Sequence, residues 1–530
     1  MKKNTFLEGA LFASIAIVLT KVLGVLYVIP FYKMIGNDGG ALYGYAYNIY
    51  NLFLIISSAG IPLAISKVTS ELIALKKPKQ KEYMFKIAQK IIFATSVVCF
   101  LICFIFAKDI AHLIIGDVTG KNSISDIAFV IRCVSFAILI VPNLSITRGY
   151  LQGHKYIKDS SFSQVIEQLV RIFIIIVGVY VAIHVFKTDI KTAVGIAVSG
   201  ATAGAIVTYI YLTYKKKKYI EKEQTKDISK SEKNEVLKKI LMYSLPFIII
   251  SAANNLYNTT DMILLIRGLD SIGLNGVDIE TISSVFTTWG SKLTSIVTAI
   301  STGLVMSLIP AVVSSYTLNK VDDVNKNFNK ALQLLLFVVL PLSLFTSIFA
   351  REIWSIFYAE KTFGPIIMKL YFVIAFFDGS FTVMCSTLNA MNKFKFVYFI
   401  VLVGLGLNAL LDIPLIHLCN KVGIYPYYGA LFATLIGYSI SIALTLIYLH
   451  KNYQFNYKDT FKKIPKLLLS IVILVCIAYS YERFVPHSFG KLLTMVYLAI
   501  IGIVCLAIYY LLNKQTLDEI IVYKLKKSKK

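Results

Sequence analysis

The amino-acid sequence predicts an all-α polytopic membrane protein with about fourteen transmembrane helices. Of its 530 residues, 57% are hydrophobic and only 16% are charged, and the mean hydropathy is +0.71. Typical soluble domains carry about 25% charged residues, so little of the chain is left for a soluble domain. Long apolar segments also alternate with short polar connections along the whole sequence. Together these observations indicate repeated crossing of a lipid bilayer.

Each apolar segment has a length close to the roughly 20 residues that a membrane-spanning helix needs. In chain order, the predicted spans are 8–32, 43–66, 87–107, 127–147, 162–186, 192–214, 240–266, 282–312, 328–350, 366–390, 395–418, 426–449, 465–482 and 490–512. The start, MKKNTF before a long apolar run, resembles a secretion signal. Because the run is too long for a signal and lacks a small-residue cleavage site, we expect it to be retained as the first helix.

The charges of the connections alternate and predict the orientation of the chain. Lysines crowd the second connection at 76–81 and the sixth at 215–218, whereas acidic residues fall in the third at 109–126 and the seventh at 270–280. Cytoplasmic connections carry the excess of Lys and Arg. We therefore predict a multi-pass protein of the cell membrane with both termini in the cytoplasm, as an even number of helices requires.

Three pairs of short fragments indicate an internal repeat. They are IPLAIS (61–66) with IPAVVS (309–314), LQGHKY (151–156) with LNAMNKF (388–394), and IYLTYK (210–215) with IYLHK (447–451). The first pair ends the second and eighth spans, the second pair follows the fourth and tenth, and the third pair closes the sixth and twelfth. Their common order predicts two six-helix lobes related by a pseudo-two-fold axis along the membrane normal, plus two extra C-terminal helices.

This repeat predicts how the chain is organised. The first lobe covers 1–214 and the second covers 240–451, with a basic cytoplasmic linker at 215–239 between them. The two extra helices occupy 464–512, and a basic cytoplasmic tail follows at 513–530.

Lysines deep inside predicted spans mark a candidate anion site. Lys21 lies about 20 Å along the first helix and Lys292 about 16 Å into the eighth, both near mid-membrane. A lysine at that depth costs about 2.5 to 3.5 kcal/mol, which favours an interior cavity. For Lys21 the alternative is a structural ion pair. Lys67 and Arg148, at cytoplasmic helix ends, would widen the site into a cationic funnel, or would instead set topology or contact lipid headgroups.

A second group of polar residues lies in the second half of the chain. Asn408 and Asp412 stand four residues apart, hence on one helix face, and Asp261 lies in the outer half of the seventh predicted helix. Their oxygen atoms suit Na⁺ or a proton relay as the coupling ion, and a capping or helix-pairing network is the alternative. No other cofactor is predicted. Glu167 and Arg171, also four residues apart, are expected to form a local ion pair.

Several other functions are disfavoured by the sequence. The seven cysteines are scattered through apolar spans, so neither a disulfide framework nor a zinc site is predicted. GDVTGKN at 116–122 has the wrong spacing for a nucleotide-binding Walker A loop and lacks the Ser or Thr after its Lys. The net charge of +25 resides mostly in short loops, where it sets topology, so no nucleic-acid partner is predicted.

Four segments of the sequence are similar to those of a known family. They are VLGVLYVIPFYKMIG, GALYGYAYNIYNLFLIISSAGIPLAISKVTSE, RGYLQGHKY and SFSQVIEQLVR. Over essentially the whole chain, the sequence resembles the Gram-positive branch of the MurJ-type lipid II flippases. That branch includes the stage V sporulation protein B and related polysaccharide exporters of the multidrug, oligosaccharidyl-lipid and polysaccharide exporter superfamily. The resemblance implies a transporter with no catalytic residues.

The resemblance also implies roles for particular residues. Lys21 falls where the family places a cavity arginine, in the first-helix motif R/K-V-L-G, and Lys292 falls near the family arginine of the eighth helix. Tyr27 matches a second first-helix arginine, which implies a less cationic cavity. The sodium site of some members is matched by Asp261, Asn408, Asp412 and Thr434, with the carbonyl of Ala430 as a further ligand. The last two helices would line a groove for the polyprenyl tail.

The sequence therefore predicts a flippase that moves a lipid-linked oligosaccharide, lipid II in particular, to the outer leaflet by alternating access. Its energy would come from the membrane potential, a cation gradient or both. An exporter of another polysaccharide precursor or of drugs is the alternative in the same class. A membrane-embedded glycosyltransferase would need a catalytic carboxylate in a large outer loop, and the outer loops are short. The predicted partners are the lipid-linked substrate, membrane lipids and cell-wall synthesis proteins, with the protein itself a monomer.

Overall fold

The computed structural model describes residues 16, 19–58, 60–220, 228–484 and 491–527. Parts of the predicted first and second spans, linker, C-terminal helices and tail lie outside the described residues, at 8–15, 17–18, 59, 221–227, 485–490 and 528–530. Across the described ranges the chain is helical and contains no strand, which confirms the predicted all-α class. The helices form two compact units, Met1–Trp289 and Gly290–Lys530.

The described part of the first unit contains ten helices. They are α1 (Leu19–Leu26), α2 (Val28–Ser58), α3 (Ile61–Ala74), α4 (Pro78–Ile105), α5 (Ala107–Ile115), α6 (Ile124–Gly153), α7 (Ile157–Phe173), α8 (Ile190–Tyr219), α9 (Lys230–Ser271) and α10 (Gly276–Ser284). Wider π-helical turns continue α7 over Ile174–Gly178 and Val181–Val185, and follow α10 over Val285–Trp289.

Two glycines let the chain change direction around the second predicted span. At Gly36, φ is 63° and ψ is −159°, so α2 consists of two helical segments that meet there. At Gly60, φ is 72°, a left-handed conformation that glycine adopts without strain. Pro62 follows in the first turn of α3, where its missing N–H costs nothing. The predicted span 43–66 is therefore divided between α2 and α3.

α6 is the centre of the first unit and packs against α2, α3, α4 and α8. Gly149 and Gly153 lie one turn apart on α6 and face α3. A Cβ at Gly149 would lie 2.3 Å from the carbonyl oxygen of Pro62, and a Cβ at Gly153 would lie 2.8 Å from that of Ser66. The motifs GIPLAISK and RGYLQGHKY therefore meet through backbone contact, which small residues allow between membrane helices.

Both ends of the predicted linker 215–239 are helical, because α8 continues to Tyr219 and α9 begins at Lys230. A capping box starts α9, in which the Ser229 side chain accepts a hydrogen bond from the Glu232 amide. Further along, Lys239 Nζ lies 2.6 Å from Glu71 Oε1 on α3. This ion pair holds the beginning of α9 against α3.

The second unit continues with ten more helices in its described part. They are α11 (Gly290–Thr317), α12 (Val321–Leu334), α13 (Leu340–Ile348), α14 (Ala350–Phe357), α15 (Gly364–Ala390), α16 (Phe394–Val422), α17 (Tyr428–Tyr453), α18 (Lys458–Phe461), α19 (Ile464–Phe484) and α20 (Lys491–Lys527). A π-helical turn at Leu335–Val339 joins α12 to α13. α16 packs on α17, α15 on α11, and the C-terminal helices α19 and α20 on α13 and α14.

Nine helical stretches of the described chain are long and apolar enough to cross a membrane, and each overlaps one predicted span. They are Pro78–Ile105, Ile124–Gly153, Ile157–Val185, Ile190–Tyr219, Val321–Ile348, Gly364–Ala390, Phe394–Val422, Tyr428–Tyr453 and Leu493–Asp518. α1 and α2, bent by 50° at their junction, make a tenth candidate. The protein is thus a multi-pass membrane protein, and the count of fourteen spans stays a prediction.

Candidate functional site

A charged cluster lies inside the first unit, between α6 and α7. Arg148 donates from Nη2 to Glu167 Oε2 at 2.8 Å and from Nε to Ser163 Oγ at 2.8 Å. Arg171 donates from Nη2 to the other carboxylate oxygen, Glu167 Oε1, at 2.6 Å. The side chains of Arg148, Glu167 and Arg171 are only 14%, 11% and 19% exposed. Two guanidinium groups therefore share one buried carboxylate, and the cluster keeps a net positive charge.

Glycines of α8 make room for this cluster. A Cβ at Gly204 would lie 2.7 Å from the carbonyl oxygen of Glu167, and a Cβ at Gly200 would lie 3.0 Å from that of Arg171. These glycines form a small-xxx-small pattern that lets two membrane helices approach closely. The predicted pair of Glu167 with Arg171 is confirmed. The sequence analysis placed Arg148 in a cationic funnel but did not pair it with Glu167, because helical spacing identifies partners on one helix and not across two.

An aromatic row on α2 connects this cluster with the predicted site residue Tyr27. The ring of Tyr27 lies 6.1 Å from that of Phe31, which lies 5.3 Å from that of Tyr43. Tyr43 and Tyr47 then stack at 5.1 Å with 12° between their planes, and Tyr50 follows at 5.2 Å from Tyr47. The last three tyrosines lie near the guanidinium of Arg171. Phenol and guanidinium donors together suit an anionic or hydroxyl-rich ligand.

The remaining residues of the predicted anion site lie on separate helices. Lys21 on α1 and Lys67 on α3 have exposed side chains, and Tyr27 is buried at the junction of α1 and α2. Lys292 lies on α11 in the second unit and is half-buried. A joint site of Lys21 and Lys292 stays a prediction. Within the first unit, Tyr27 ends the aromatic row and Arg148 belongs to the charged cluster.

The predicted cation ligands of the second unit come together between α16 and α17. Asn408 and Asp412 are fully buried, one turn apart on α16. Asn408 Nδ2 donates to Thr434 Oγ1 at 3.1 Å, and Thr434 Oγ1 donates to the carbonyl oxygen of Ala430 at 3.0 Å. Asp261, the other predicted ligand, is half-buried on α9 in the first unit.

The chemistry of these donors fits a hard cation. Asn408 Oδ1 is buried and accepts no hydrogen bond from the part of the chain that the structure describes. Amide, hydroxyl, carbonyl and carboxylate oxygens all lie within the group, and such oxygens suit Na⁺ better than a transition metal. Among the described residues, no three His, Cys, Asp or Glu side chains are placed to hold a metal ion together. A proton on Asp412 is the other species that this site could take.

A polar network that the sequence analysis missed fixes the loop at 117–123. Glu280 on α10 is 3% exposed and accepts hydrogen bonds from the backbone amides of Lys121 at 3.0 Å and Asn122 at 2.9 Å. Lys121 Nζ also lies 2.8 Å from Asp38 Oδ2 on α2. Burial raises the pKa of the Glu280 carboxyl. The acidic character of both connections placed them on one side of the membrane, but nothing in the sequence paired these residues.

Comparisons with known proteins identify related sequences. A family model described as polysaccharide biosynthesis protein matches residues 6–314, and one described as MatE matches residues 246–413. The lipid II flippase MurJ of Bacillus subtilis (strain 168) is 27% identical over 520 residues, which cover 96% of this chain and 94% of that protein. The stage V sporulation protein B of the same organism is 23% identical over 393 residues, or 73% and 74% of the two chains.

Solved structures share the fold. A lipid II flippase MurJ in an inward closed conformation superposes with a TM-score of 0.67 at 16% identity, covering 96% of this chain and 100% of that one. An inward-facing multidrug resistance MATE family transporter of the MOP superfamily has a TM-score of 0.64 at 13% identity, covering 82% and 94%. The first family model matches more than half of the residues of this chain, so the chain belongs to the polysaccharide biosynthesis protein family.

Proposed function

We propose that this protein is a flippase that carries lipid II from the inner to the outer leaflet of the cell membrane. The observation that carries the proposal is the similarity to the lipid II flippase MurJ over 96% of the chain. The multi-pass helical fold supports it. A pyrophosphate and sugars cannot cross hydrocarbon unaided, since burying unpaired polar and charged groups is costly. The task is therefore transport, and no bond of the substrate is made or broken.

The proposed architecture has fourteen spans in two six-helix lobes, with both termini in the cytoplasm. α19 and α20 would lie beside the polyprenyl tail of the substrate. Large apolar side chains support this role, since Leu506 and Leu511 on α20 are 68% and 72% exposed. The protein would act as a monomer, and cell-wall synthesis proteins are its proposed partners.

The substrate pyrophosphate would be held by cationic side chains of the cavity, above all Lys21 and Lys292. Lys21→Ala should abolish transport of labelled lipid II in proteoliposomes while the protein still inserts and accumulates. Lys21→Arg should keep activity because it keeps the charge. Lys33→Ala is the matched control, since it removes an exposed lysine of the neighbouring helix. Normal transport by Lys21→Ala, or rescue by the uncharged Lys21→Gln, would disprove the role of this charge.

A coupling cation would be held by Asn408, Asp412, Thr434 and the carbonyl of Ala430, with Asp261 as the further predicted ligand. Such a cation would supply positive charge beside the buried carboxylate of Asp412. The membrane potential contributes about 2.3 kcal/mol per charge per 100 mV, and the site would add a chemical gradient to that force. A cation shifts the conformational equilibrium only by its differential affinity for the two states.

Asp412→Asn should therefore weaken the dependence of transport on imposed sodium or proton gradients more than it weakens substrate binding. The matched control is Asp322→Asn, which neutralises an exposed carboxylate on α12. Sodium should also raise the unfolding midpoint of the wild type and of the control, but not of Asp412→Asn. Unchanged gradient dependence in Asp412→Asn would mean that the residues around Asp412 form only a structural network.

A second candidate is an exporter of another lipid-linked precursor or of drugs. It is favoured by the match of residues 246–413 to the MatE model and by the fold shared with a multidrug transporter. The same proteoliposomes would distinguish the two candidates. Transport of a cationic drug without transport of labelled lipid II would favour the exporter.

A further inference from the structure

A groove on the surface of the first unit carries two lysines beside apolar walls. Its volume is about 730 Å³, and it runs between α4 and α8, with α6 as its floor, because α6 packs against both. The exposed side chains of Phe93 on α4 and of Ile206 and Ile210 on α8 line its walls. Exposed apolar side chains on a membrane-spanning helix face lipid, so this groove opens to the bilayer.

The lysines lie on the groove side of α4, at the level where a bilayer changes from hydrocarbon to headgroups. α4 has 28 residues, which is about 42 Å of helix, against a hydrocarbon core of about 30 Å. If Ile105 marks the far boundary, the core begins about 20 residues earlier, near Lys86. Lys90, one turn deeper on the same face, then lies about 6 Å inside the core, which its long side chain can bridge.

We propose that this groove binds one anionic glycerophospholipid. Its phosphate would lie between the ammonium groups of Lys86 and Lys90, and an acyl chain would run along Phe93 and Ile210. Tyr83 and Tyr209 also line the groove, and tyrosines are typical of the headgroup level. Basic pockets between membrane helices on the cytoplasmic side commonly bind anionic lipid headgroups.

Charge complementarity selects this ligand over a neutral lipid. The Lys86 side chain is 46% exposed and its Nζ lies 4.0 Å from Glu82 Oε1, a distance at which the ammonium can also reach a lipid phosphate. The basic loop at 76–81 already provides positive charge for topology. A lysine placed inside the hydrocarbon boundary costs free energy unless an anion compensates it. Lys90 lines the groove, so an anionic headgroup bound there would compensate its charge beyond what reaching the boundary achieves.

The site is separate from the proposed transport path. Lys21, Tyr27 and Arg148 do not line the groove, so the two proposals can fail independently. The volume falls within the roughly 300–1,000 Å³ of small-molecule sites, which suits a phosphoglycerol headgroup and the first part of a chain.

The test is native mass spectrometry of the purified full-length protein titrated with phosphatidylglycerol or with phosphatidylcholine of the same acyl chains. Wild type should bind the first phosphatidylglycerol more tightly. Lys86→Gln with Lys90→Gln should weaken that binding by about 30-fold, which corresponds to about 2 kcal/mol, or about one per lysine. Retention of the preference for phosphatidylglycerol by this double variant would overturn the proposal.

Two further variants and one competitor complete the test. Lys81→Gln removes a lysine of α4 that does not line the groove and should bind like wild type, whereas equal weakening would indicate a general charge effect and overturn the site. Lys86→Arg with Lys90→Arg should retain binding, which separates loss of charge from misfolding. If undecaprenyl phosphate displaces phosphatidylglycerol only when both lysines are present, the groove is a substrate site and the proposal is wrong.

Discussion

Replacing Glu167 with Gln should destabilise the first unit strongly, because it leaves two buried guanidinium groups without their shared carboxylate. Each oxygen of Glu167 now accepts one hydrogen bond, from Arg148 at 2.8 Å and from Arg171 at 2.6 Å. Gln has the same shape but is neutral, and its amide group is a donor. One guanidinium must then face a donor, and the other keeps only a neutral acceptor.

The size of the effect follows from burial. The three side chains are 14%, 11% and 19% exposed, so solvent screens them little. A hydrogen bond to a charged group contributes about 1.5 to 3 kcal/mol, and breaking a buried ion pair costs about 3 to 5 kcal/mol. We expect a loss of about 3 kcal/mol of unfolding free energy. For a unit of this size, 1 kcal/mol moves the unfolding midpoint by about 2 to 4 °C, so the midpoint should fall by about 6 to 12 °C.

Scanning fluorimetry of the purified protein in detergent measures this shift. The scan rate is held constant, since membrane proteins of this size commonly unfold irreversibly and their midpoints then depend on it. A double-mutant cycle with Arg148→Gln supplies the control: once Glu167→Gln is present, removing Arg148 should cost little or restore stability. A fall of less than about 2 °C for Glu167→Gln, or strictly additive effects in the cycle, would refute the shared-carboxylate argument.

Two other substitutions test the packing and the loop network. Gly149→Ala should lower the unfolding midpoint and the yield of folded protein, because its Cβ would lie 2.3 Å from the carbonyl oxygen of Pro62; Gly303→Ala, with no atom within 4 Å of its Cβ, is the control and should be neutral or stabilising. Burial raises the pKa of Glu280 in the folded state, so this carboxyl binds a proton more readily in the folded protein than in the unfolded chain. Stability therefore falls as the pH rises from the unfolded pKa of Glu280 to its folded pKa. The unfolding midpoint of the wild type, measured relative to that of Glu280→Gln, should therefore rise as the pH is lowered towards the ordinary pKa of a glutamate. A constant difference between the two midpoints would contradict this.

Hydrophobic length and helical spacing were enough to predict much of this fold. Three features depend only on distances along one helix: the all-α class, most of the long spans and the pairing of Glu167 with Arg171. The same holds for Asn408 and Asp412, which four-residue spacing places on one face. In each case the relevant neighbours are close in sequence, so the geometry of a single helix fixes their relation.

Contacts between helices could not be predicted in the same way. Arg148 reaches Glu167 from another helix, and Glu280 captures a loop more than 150 residues earlier. Periodicity identifies which face of a helix is polar, but it does not determine which two faces meet. The division of the span at Gly60 is different, because hydropathy continues across it, while the nearby glycine and proline already carried the signal for a break.

The contact between α3 and α6 also bears on how this lineage can change. Gly149 and Gly153 touch backbone atoms of Pro62 and Ser66, and backbone cannot be trimmed by substitution. Neither position can therefore accept a side chain unless α3 shifts. Substitutions at these glycines thus require compensating changes in the α3 segment. The two segments therefore serve the packing of the scaffold, and proteins with different cargo could carry the same pair.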